Sequence, residues 1–174
     1  MAAPGDQQTA RFRALALPLL GYLHRLALAL TANRTRADDL VQETYLRALR
    51  YFDSYQGEDF KAWMAAIMRN IHRNKTPPAP LSTDDEWFTE LPDPAPNPEQ
   101  TAVTAERAQR LRGLLAGLPE ALREVLVLRE YGDLSYAQIA SMLSIPTGTV
   151  MSRLSRARDD LRKAWLSAHD GSLT

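Results

Sequence analysis

Cysteine is absent from the 174-residue sequence, and the three histidines lie far apart. Without cysteine the chain forms neither a disulfide scaffold nor a thiolate zinc site, and it has no cysteine nucleophile. His24, His72 and His169 have no paired ligands nearby, so we expect no metal site. A phosphate-binding glycine loop, a Gly-x-Ser-x-Gly elbow and the kinase motifs are missing too. We therefore expect no enzymatic activity and no cofactor.

A long uninterrupted hydrophobic run is also missing. The longest nearly apolar stretch, residues 15–30, contains Pro18, Gly21, His24 and Arg25. This makes it too short and too polar for a membrane span. The first residues lack a basic region followed by an apolar one, so no signal peptide is expected. These absences predict a soluble protein in the cytoplasm.

The net charge is zero, but it is unevenly distributed. Residues 1–75 carry eleven basic and seven acidic side chains, and residues 106–174 carry ten and eight. The segment between them has six acidic residues and no basic one, and residues 77–98 hold seven of the eleven prolines. Such density excludes a regular helix and predicts an extended, polyproline-like linker. We predict three parts, with bounds 1–75, 76–105 and 106–174.

Both flanks of the predicted linker show helical periodicity without a convincing strand pattern. The apolar stripes are Phe12, Leu15, Leu19, Leu23, Leu26 and Leu30; Val41, Tyr45, Ala48, Leu49 and Phe52; Phe60, Met64, Ile67 and Ile71; and Leu111, Leu114, Leu118, Leu122, Val125 and Leu126. Pro18 suggests a helix start or kink, and Asp38 or Asp39 suggests the first turn of the second stripe. The predicted fold is all-α, with two small helical domains on a tether.

The C-terminal sequence LSYAQIASMLSIPTGTVMSRLSRARDDLRKAW has the pattern of a helix-turn-helix. Ser135 and Gln138 form a predicted capping box that begins a short helix. A longer helix begins near Pro146, with an inner face of Val150, Leu154, Ala157, Leu161 and Trp165. This arrangement places a second helix in the DNA major groove. The alternative is an amphipathic helical hairpin with a solvated basic face.

The outward face of the longer helix suits contact with DNA. Its short residues at the helix start, including Thr147 and Thr149, permit close approach to base edges, and its arginines can donate to guanine or phosphate. The helix with the stripe that begins at Val41 also has an outward face, which lies opposite the stripe and carries Asp39, Glu43, Arg47 and Arg50. Its charged residues are interrupted by Leu46, with Leu40 at the edge, so it fits a protein-binding surface. The alternative is a solvated face supported by a Glu43–Arg47 pair.

The C-terminal motif resembles the region of bacterial extracytoplasmic-function sigma factors that recognises the minus-thirty-five promoter element. The sequence DDLVQETYLRAL is similar to the helix of the same family that docks on the clamp of RNA polymerase. The family often has glycine where Ser144 stands and a basic residue where Met151 stands. The resemblance implies a factor that directs core RNA polymerase to dedicated promoters, as in a stress response. It also implies an anti-sigma factor as a partner, and we expect a monomer in the free state.

The resemblance also implies roles for individual residues. For core-polymerase binding we predict Asp39, Leu40, Gln42, Glu43 and Leu46. For the minus-ten element we predict Tyr55, Gln56, Trp63, Arg69, Asn70 and Arg73, although Trp63 is interpreted as a core residue more readily than as a base-stacking one. For the minus-thirty-five element we predict Thr147, Thr149, Ser152, Arg153, Ser155 and Arg156.

Two other hypotheses stay open at this point. One is an autonomous helix-turn-helix regulator whose N-terminal bundle dimerises or binds a ligand. Such a protein binds duplex DNA alone, as a symmetric dimer. The other is a sigma mimic that sequesters an anti-sigma factor and does not engage promoters. The basic helix that follows Trp63 ends early in this chain, which keeps the mimic in consideration.

Overall fold

The structure is a computed structural model that describes residues 4–57, 59–74 and 101–170. Within these ranges the chain forms eight α-helices and two short 3-10 turns, with no β-strand. The all-α prediction is therefore confirmed. The chain divides into two compact units, Met1–Ala95 and Pro96–Thr174. Most of the segment 76–105 that the sequence predicts as a linker lies outside the described residues. Its end, residues 101–105, is not extended but forms the start of a helix that runs over Thr101–Ala116.

The described residues of the N-terminal unit form four α-helices. They are α1 (Pro4–Ala16), α2 (Leu20–Thr31), α3 (Arg34–Tyr51) and α4 (Phe60–Asn74). A 3-10 turn, Leu17–Leu19, joins α1 to α2, and a second one, Phe52–Ser54, follows α3. The central helix α3 packs against both α2 and α4. It begins at Arg34, earlier than the Asp38 or Asp39 start predicted from the sequence, because the Asn33 side chain caps it by accepting from the Arg36 amide.

Aromatic side chains hold the core of this unit together. The ring of Phe12 meets Tyr45, Phe52 and Phe60 edge to face, with centroid distances of 6.4, 5.3 and 6.2 Å. Edge-to-face geometry is favoured because the positive ring edge points at the negative ring face. The buried hydroxyl of Tyr45 also donates to the carbonyl oxygen of Ala16 at 2.7 Å. This bond ties α3 to the end of α1.

The predicted first apolar stripe is interrupted at the 3-10 turn. Phe12, Leu23 and Leu26 are fully buried as expected, but Leu15 is exposed and Ala16 is buried in its place. Pro18 lies within the turn. A 3-10 turn has about three residues per turn, so it shifts the helical phase that a period of 3.6 residues assumes. The inclusion of Leu15 in the stripe is therefore wrong.

The helical stretch Gln7–Thr31 is long and apolar enough to cross a membrane by length and composition alone. The sequence prediction was that residues 15–30 are too short and too polar for a membrane span. By length and composition, the longer helical stretch of the structure does not meet that prediction. Leu23, Leu26 and Ala27 of this stretch are fully buried against the rest of the N-terminal unit. These apolar side chains of the stretch therefore form part of the core of that unit.

In the C-terminal unit, residues 101–170 also form four α-helices. They are α5 (Thr101–Ala116), α6 (Glu120–Glu130), α7 (Tyr136–Leu143) and α8 (Thr147–Asp170). The last of these packs mainly against α6 and α7. The core is formed by buried side chains from all three, namely Val125, Val127, Leu128, Ile139, Val150, Leu154 and Ala157.

The inner face of α8 is shorter than predicted. Its fully buried residues end at Ala157, since Leu161 is half-buried and Trp165 is exposed. The helix has 24 residues, whereas α6 and α7 have 11 and 8, so neither partner can cover its whole length. The placement of Trp165 in the core is therefore wrong.

Candidate protein- and nucleic-acid-binding surfaces

The predicted polymerase-binding residues lie on α3, but they do not share one exposed face. Asp39 is exposed, and Gln42 and Leu46 are half-buried. Leu40 and Glu43 are buried. The prediction that Glu43 belongs to an outward charged face is wrong, and Leu40 faces the core. The described surface of α3 therefore offers Asp39, Gln42 and Leu46 to a partner.

Glu43 is buried because it has an internal partner. Its Oε1 accepts a hydrogen bond from Nε of Arg47 one turn later, which confirms the expected pair. Arg47 is the more exposed of the two side chains. The pair resembles ordinary helix support at a spacing of four residues, and it neutralises a carboxylate that would otherwise be costly to bury.

A second polar contact fixes α3 against α2. Nε2 of His24 lies 2.9 Å from Oδ1 of Asp38, and the two residues are 14 positions apart. This contact places Asp38 against α2, next to the exposed Asp39 in sequence. The sequence gives no local signal for it, because the spacing is set by the packing of the two helices.

The predicted minus-ten residues Tyr55 and Trp63 form part of the aromatic cluster of the N-terminal unit. Their ring centroids are 5.1 Å apart, and Phe60 lies 5.2 Å from Tyr55 and 5.4 Å from Trp63. Both Tyr55 and Trp63 are half-buried. The cluster anchors the loop before α4, and Gln56 is exposed beside it. Each of the two rings retains some exposed surface.

Arg69 is the clearest departure from the predicted DNA-binding set. It is 5% exposed, whereas Asn70 and Arg73 are exposed. The sequence prediction placed Ile67 in the core face of α4. In the structure Ile67 is half-buried, and the buried residues include Ala65, Met68 and Arg69 instead. Nη1 of Arg69 lies 3.4 Å from Oδ1 of Asn70, and every buried side-chain nitrogen or oxygen of the described residues has a hydrogen-bond partner. The outward placement of Arg69 is therefore wrong.

The predicted helix-turn-helix is present in the C-terminal unit. Oγ of Ser135 accepts from the Gln138 amide at 3.2 Å, and the Gln138 side chain accepts from the Ser135 amide at 2.8 Å. These reciprocal bonds form the predicted capping box and begin α7. The helix ends at Leu143, and the residue that follows and caps it, Ser144, has a left-handed φ of 55°. This turn redirects the chain, so that α8 begins at Thr147.

The outward face of α8 carries most of the predicted minus-thirty-five residues. Thr147, Ser152, Ser155 and Arg156 are exposed, as the helical periodicity predicts. The other two predicted residues, Thr149 and Arg153, are half-buried. The exposed side chains combine short hydroxyl groups and a guanidinium, which can contact base edges and phosphates.

Polar contacts join the helices of the C-terminal unit to one another. Nη2 of Arg158 donates to Oε1 of Glu130 on α6 at 2.8 Å, and this bond, with a smaller contribution from Tyr136, raises the pKa of Arg158. Nη1 of Arg129 donates to the Leu134 carbonyl at 2.8 Å, and its guanidinium lies 5.3 Å from the Tyr136 ring. The contact between Arg158 and Glu130 was not foreseen, because the two residues are 28 positions apart in sequence.

Acidic and histidine side chains do not cluster in the part of the chain that the structure describes. No group of three or more His, Cys, Asp or Glu residues there could hold a metal ion.

Comparison with known proteins assigns both units to the same protein family. Residues 15–74 match sigma-70 region 2, and residues 108–161 match sigma-70 region 4. The chain is 36% identical over 140 residues to the ECF RNA polymerase sigma factor EcfG of Rhodopseudomonas palustris, which covers 80% of this chain and 76% of EcfG. The chain belongs to the extracytoplasmic-function (ECF) sigma factors.

Further similarities agree with this family assignment. The sigma factor is 33% identical over 153 residues to ECF sigma factor SigE of Mycolicibacterium smegmatis, covering 84% of this chain and 58% of SigE. The solved structure of sigma factor RpoE in complex with the anti-sigma factor NepR from Bartonella quintana matches with a TM-score of 0.70 at 28% identity. That match covers 89% of this chain and 96% of RpoE. An ECF factor of this kind is an alternative sigma factor, which directs transcription initiation at particular promoters.

Proposed function

We propose that this sigma factor binds core RNA polymerase through α3 and promoter DNA through α4 and α8. The division of the chain into residues 1–75, a connecting segment 76–105 and residues 106–174 belongs to this proposal. The observation that carries it is the exposed face of α8, which follows a capped helix and a left-handed turn as in DNA-binding helix-turn-helix motifs. The protein adds promoter specificity and performs no catalysis itself, and it acts in the cytoplasm.

On α3, the proposed contact with core polymerase is centred on Asp39, with Gln42 and Leu46 beside it. Asp39 is exposed, and the other two residues are half-buried, so they form a mixed polar and apolar patch. An exposed carboxylate fits a basic partner surface, and an apolar side chain beside it gives contact area. Leu40 and Glu43 support this patch from inside, since both are buried.

For the minus-ten element, the proposed contacts are Tyr55, Gln56, Trp63, Asn70 and Arg73. The exposed guanidinium of Arg73 suits a phosphate of melted DNA, and the partly exposed rings suit an unstacked base. Arg69 supports this surface from the buried arc of α4. Because Arg69 is buried, the basic surface of α4 is smaller than the sequence suggests.

For the minus-thirty-five element, the proposed contacts are Thr147, Thr149, Ser152, Arg153, Ser155 and Arg156. Arg156 combines an exposed position with five donor hydrogens in a planar fork, which suits guanine or a pair of phosphate oxygens. An anti-sigma factor is the proposed regulatory partner. The complex of RpoE with NepR supports this, because the match covers 89% of this chain.

A binding experiment with core RNA polymerase tests the polymerase contact. The full-length protein is mixed with core polymerase and separated by gel filtration, using the wild type and Asp39→Lys. Co-elution of the wild type and loss of co-elution for Asp39→Lys are the expected results. Asp53→Lys is the matched control, because Asp53 is an exposed acid in the same unit away from the proposed patch. Equal co-elution of all three proteins would overturn the placement of the contact.

A further inference from the structure

Met151 is a large apolar side chain on the DNA-binding side of α8. It is 54% exposed, although it directly follows the fully buried Val150. It lies in the second turn of α8 and precedes the exposed Ser152. Since the predicted contacts in these turns carry hydroxyl or guanidinium groups, Met151 is an apolar side chain beside a polar set.

An open space lies on the N-terminal side of Met151. A Cβ atom built on Gly148 would meet no heavy atom of the described residues within 4 Å, apart from its chain neighbours and the backbone of its own helix. The side chain of Met151 is thus also more than 4 Å from that point. Helical side chains lean towards the preceding turn, so Met151 borders this space. This bare stretch of helix surface, with Gly148 at its base and the exposed Met151 beside it, is the notch.

The hydroxyl of Ser152, which follows Met151 in sequence, is hydrogen-bonded within its own helix. Oγ of Ser152 donates to the carbonyl oxygen of Thr149 at 3.0 Å, so its hydroxyl is turned towards the helix backbone. The notch therefore presents a thioether and an unsubstituted glycine to whatever approaches α8. This surface suits a small apolar group and gives nothing to a phosphate.

We propose that Met151 and Gly148 recognise the C5-methyl group of a thymine in the upstream promoter element. Among the base edges in the major groove, only thymine presents a methyl group, and side chains distinguish it by apolar contact. The polarisable thioether of methionine adapts well to such a contact. The inference rests on the proposed function, in which α8 lies in the major groove of that element.

The test replaces each thymine of the upstream element by deoxyuridine, which removes only the methyl group. Run-off transcription of genomic fragments with core polymerase and the full-length factor first identifies a promoter. The DNA probe is a synthetic duplex with the sequence of that promoter. Binding of the reconstituted holoenzyme is measured for the wild type and Met151→Ala. Uracil at the contacted position is expected to weaken wild-type binding by about fourfold, the value of one buried methyl group. Met151→Ala should bind both duplexes equally.

Two matched controls separate this contact from general effects. Leu166→Ala removes an equally exposed side chain from the far end of α8, and it should retain the preference for thymine. Gly148→Ala fills the notch and should reduce the preference, whereas Gly113→Ala makes the same change at an open position of α5 and should not. Because the contact is uncharged, Met151→Ala should leave the salt dependence of binding unchanged, whereas removal of a phosphate-binding arginine lowers its slope.

The outcomes separate the inference from the proposed function. If wild-type holoenzyme transcribes from the promoter but uracil weakens binding at no position, the inference is wrong and the function stands. The same holds if Met151→Ala discriminates as the wild type does. If core polymerase with the factor yields no promoter at all, the proposed function fails and the inference fails with it.

Discussion

Glu43 and Arg47 form an ion pair within α3, and the carboxylate of Glu43 is buried beneath the partly exposed guanidinium of Arg47. The sequence places Glu43 on a surface for polymerase, but the structure makes it part of the folded unit. A variant at Glu43 therefore changes folding and binding together. The exposed Asp39 lies one turn earlier, so it permits a test of binding by itself.

Charge reversal at these two positions should have different effects on stability. Glu43→Lys places a second positive charge beside Arg47 in a buried position, and it should lower the free energy of unfolding by about 2 kcal/mol or more. Asp39→Lys changes an exposed residue and should cost less than about 0.5 kcal/mol. Urea unfolding followed by circular dichroism measures both. Equal losses for the two variants would contradict the burial of Glu43.

The Tyr45 hydroxyl should contribute measurably to stability. Tyr45→Phe removes the donor to the Ala16 carbonyl, which is expected to cost about 1–2 kcal/mol of unfolding free energy. A loss below about 0.3 kcal/mol would show that water satisfies the carbonyl equally well. Thermal and urea unfolding at neutral pH measure this effect without ionisation of the phenol.

The same residue predicts how stability changes at alkaline pH. Burial raises the pKa of Tyr45 above its ordinary value of 10.0, so the folded state keeps the phenol proton when the unfolded state loses it. The stability that the protonated Tyr45 phenol contributes is complete below pH 10. It is lost as the pH rises further, because the folded state then binds more protons than the unfolded state. Burial also raises the pKa of Tyr131, with Arg112 opposing it. Tyr45→Phe should therefore flatten the alkaline decline without abolishing it.

Ser144 should be a site at which glycine stabilises the protein. Its φ of 55° is left-handed, which costs a residue with a side chain about 1 kcal/mol relative to glycine. Ser144→Gly should raise the unfolding free energy of the C-terminal unit by about that amount. Ser141→Gly, at an exposed position within α7, should instead lower it by about 0.5 kcal/mol. If Ser144→Gly does not raise the unfolding free energy, the backbone at Ser144 is not strained.

Two glycines of the C-terminal unit should respond oppositely to alanine. A Cβ on Gly132 would lie 2.4 Å from the Leu128 carbonyl oxygen, so Gly132→Ala must displace backbone and should cost about 1–3 kcal/mol. Gly113 is an exposed helical position with open space, and Gly113→Ala should stabilise by about 0.5–1 kcal/mol. Melting temperatures of the two variants measure the difference. A rise for Gly132→Ala would contradict the described turn.

The sequence predicted the features that depend on local spacing. The capping box at Ser135 and Gln138 was identifiable, because its two partners stand three residues apart. The Glu43–Arg47 pair follows a four-residue helical spacing in the same way. The exposed face of α8 follows from helical periodicity, so Ser152, Ser155 and Arg156 were placed correctly on the outside.

Features that depend on tertiary packing were beyond the sequence. Arg69 is buried because the core face of α4 is centred away from Ile67, and periodicity alone does not fix the edge of a buried arc. Trp165 is exposed because α8 outlasts the helices that cover it. The contacts of His24 with Asp38 and of Arg158 with Glu130 join residues far apart in sequence, so no local pattern predicts them.

Run-off transcription with purified core RNA polymerase tests the central claim most directly. Genomic fragments are transcribed with core polymerase alone and with core polymerase plus the full-length protein, and the 5′ ends of the transcripts are mapped. A sigma factor predicts new transcripts with defined 5′ ends that require both components and share an upstream sequence element. Co-elution with core polymerase but no transcript with a defined start would contradict the claim.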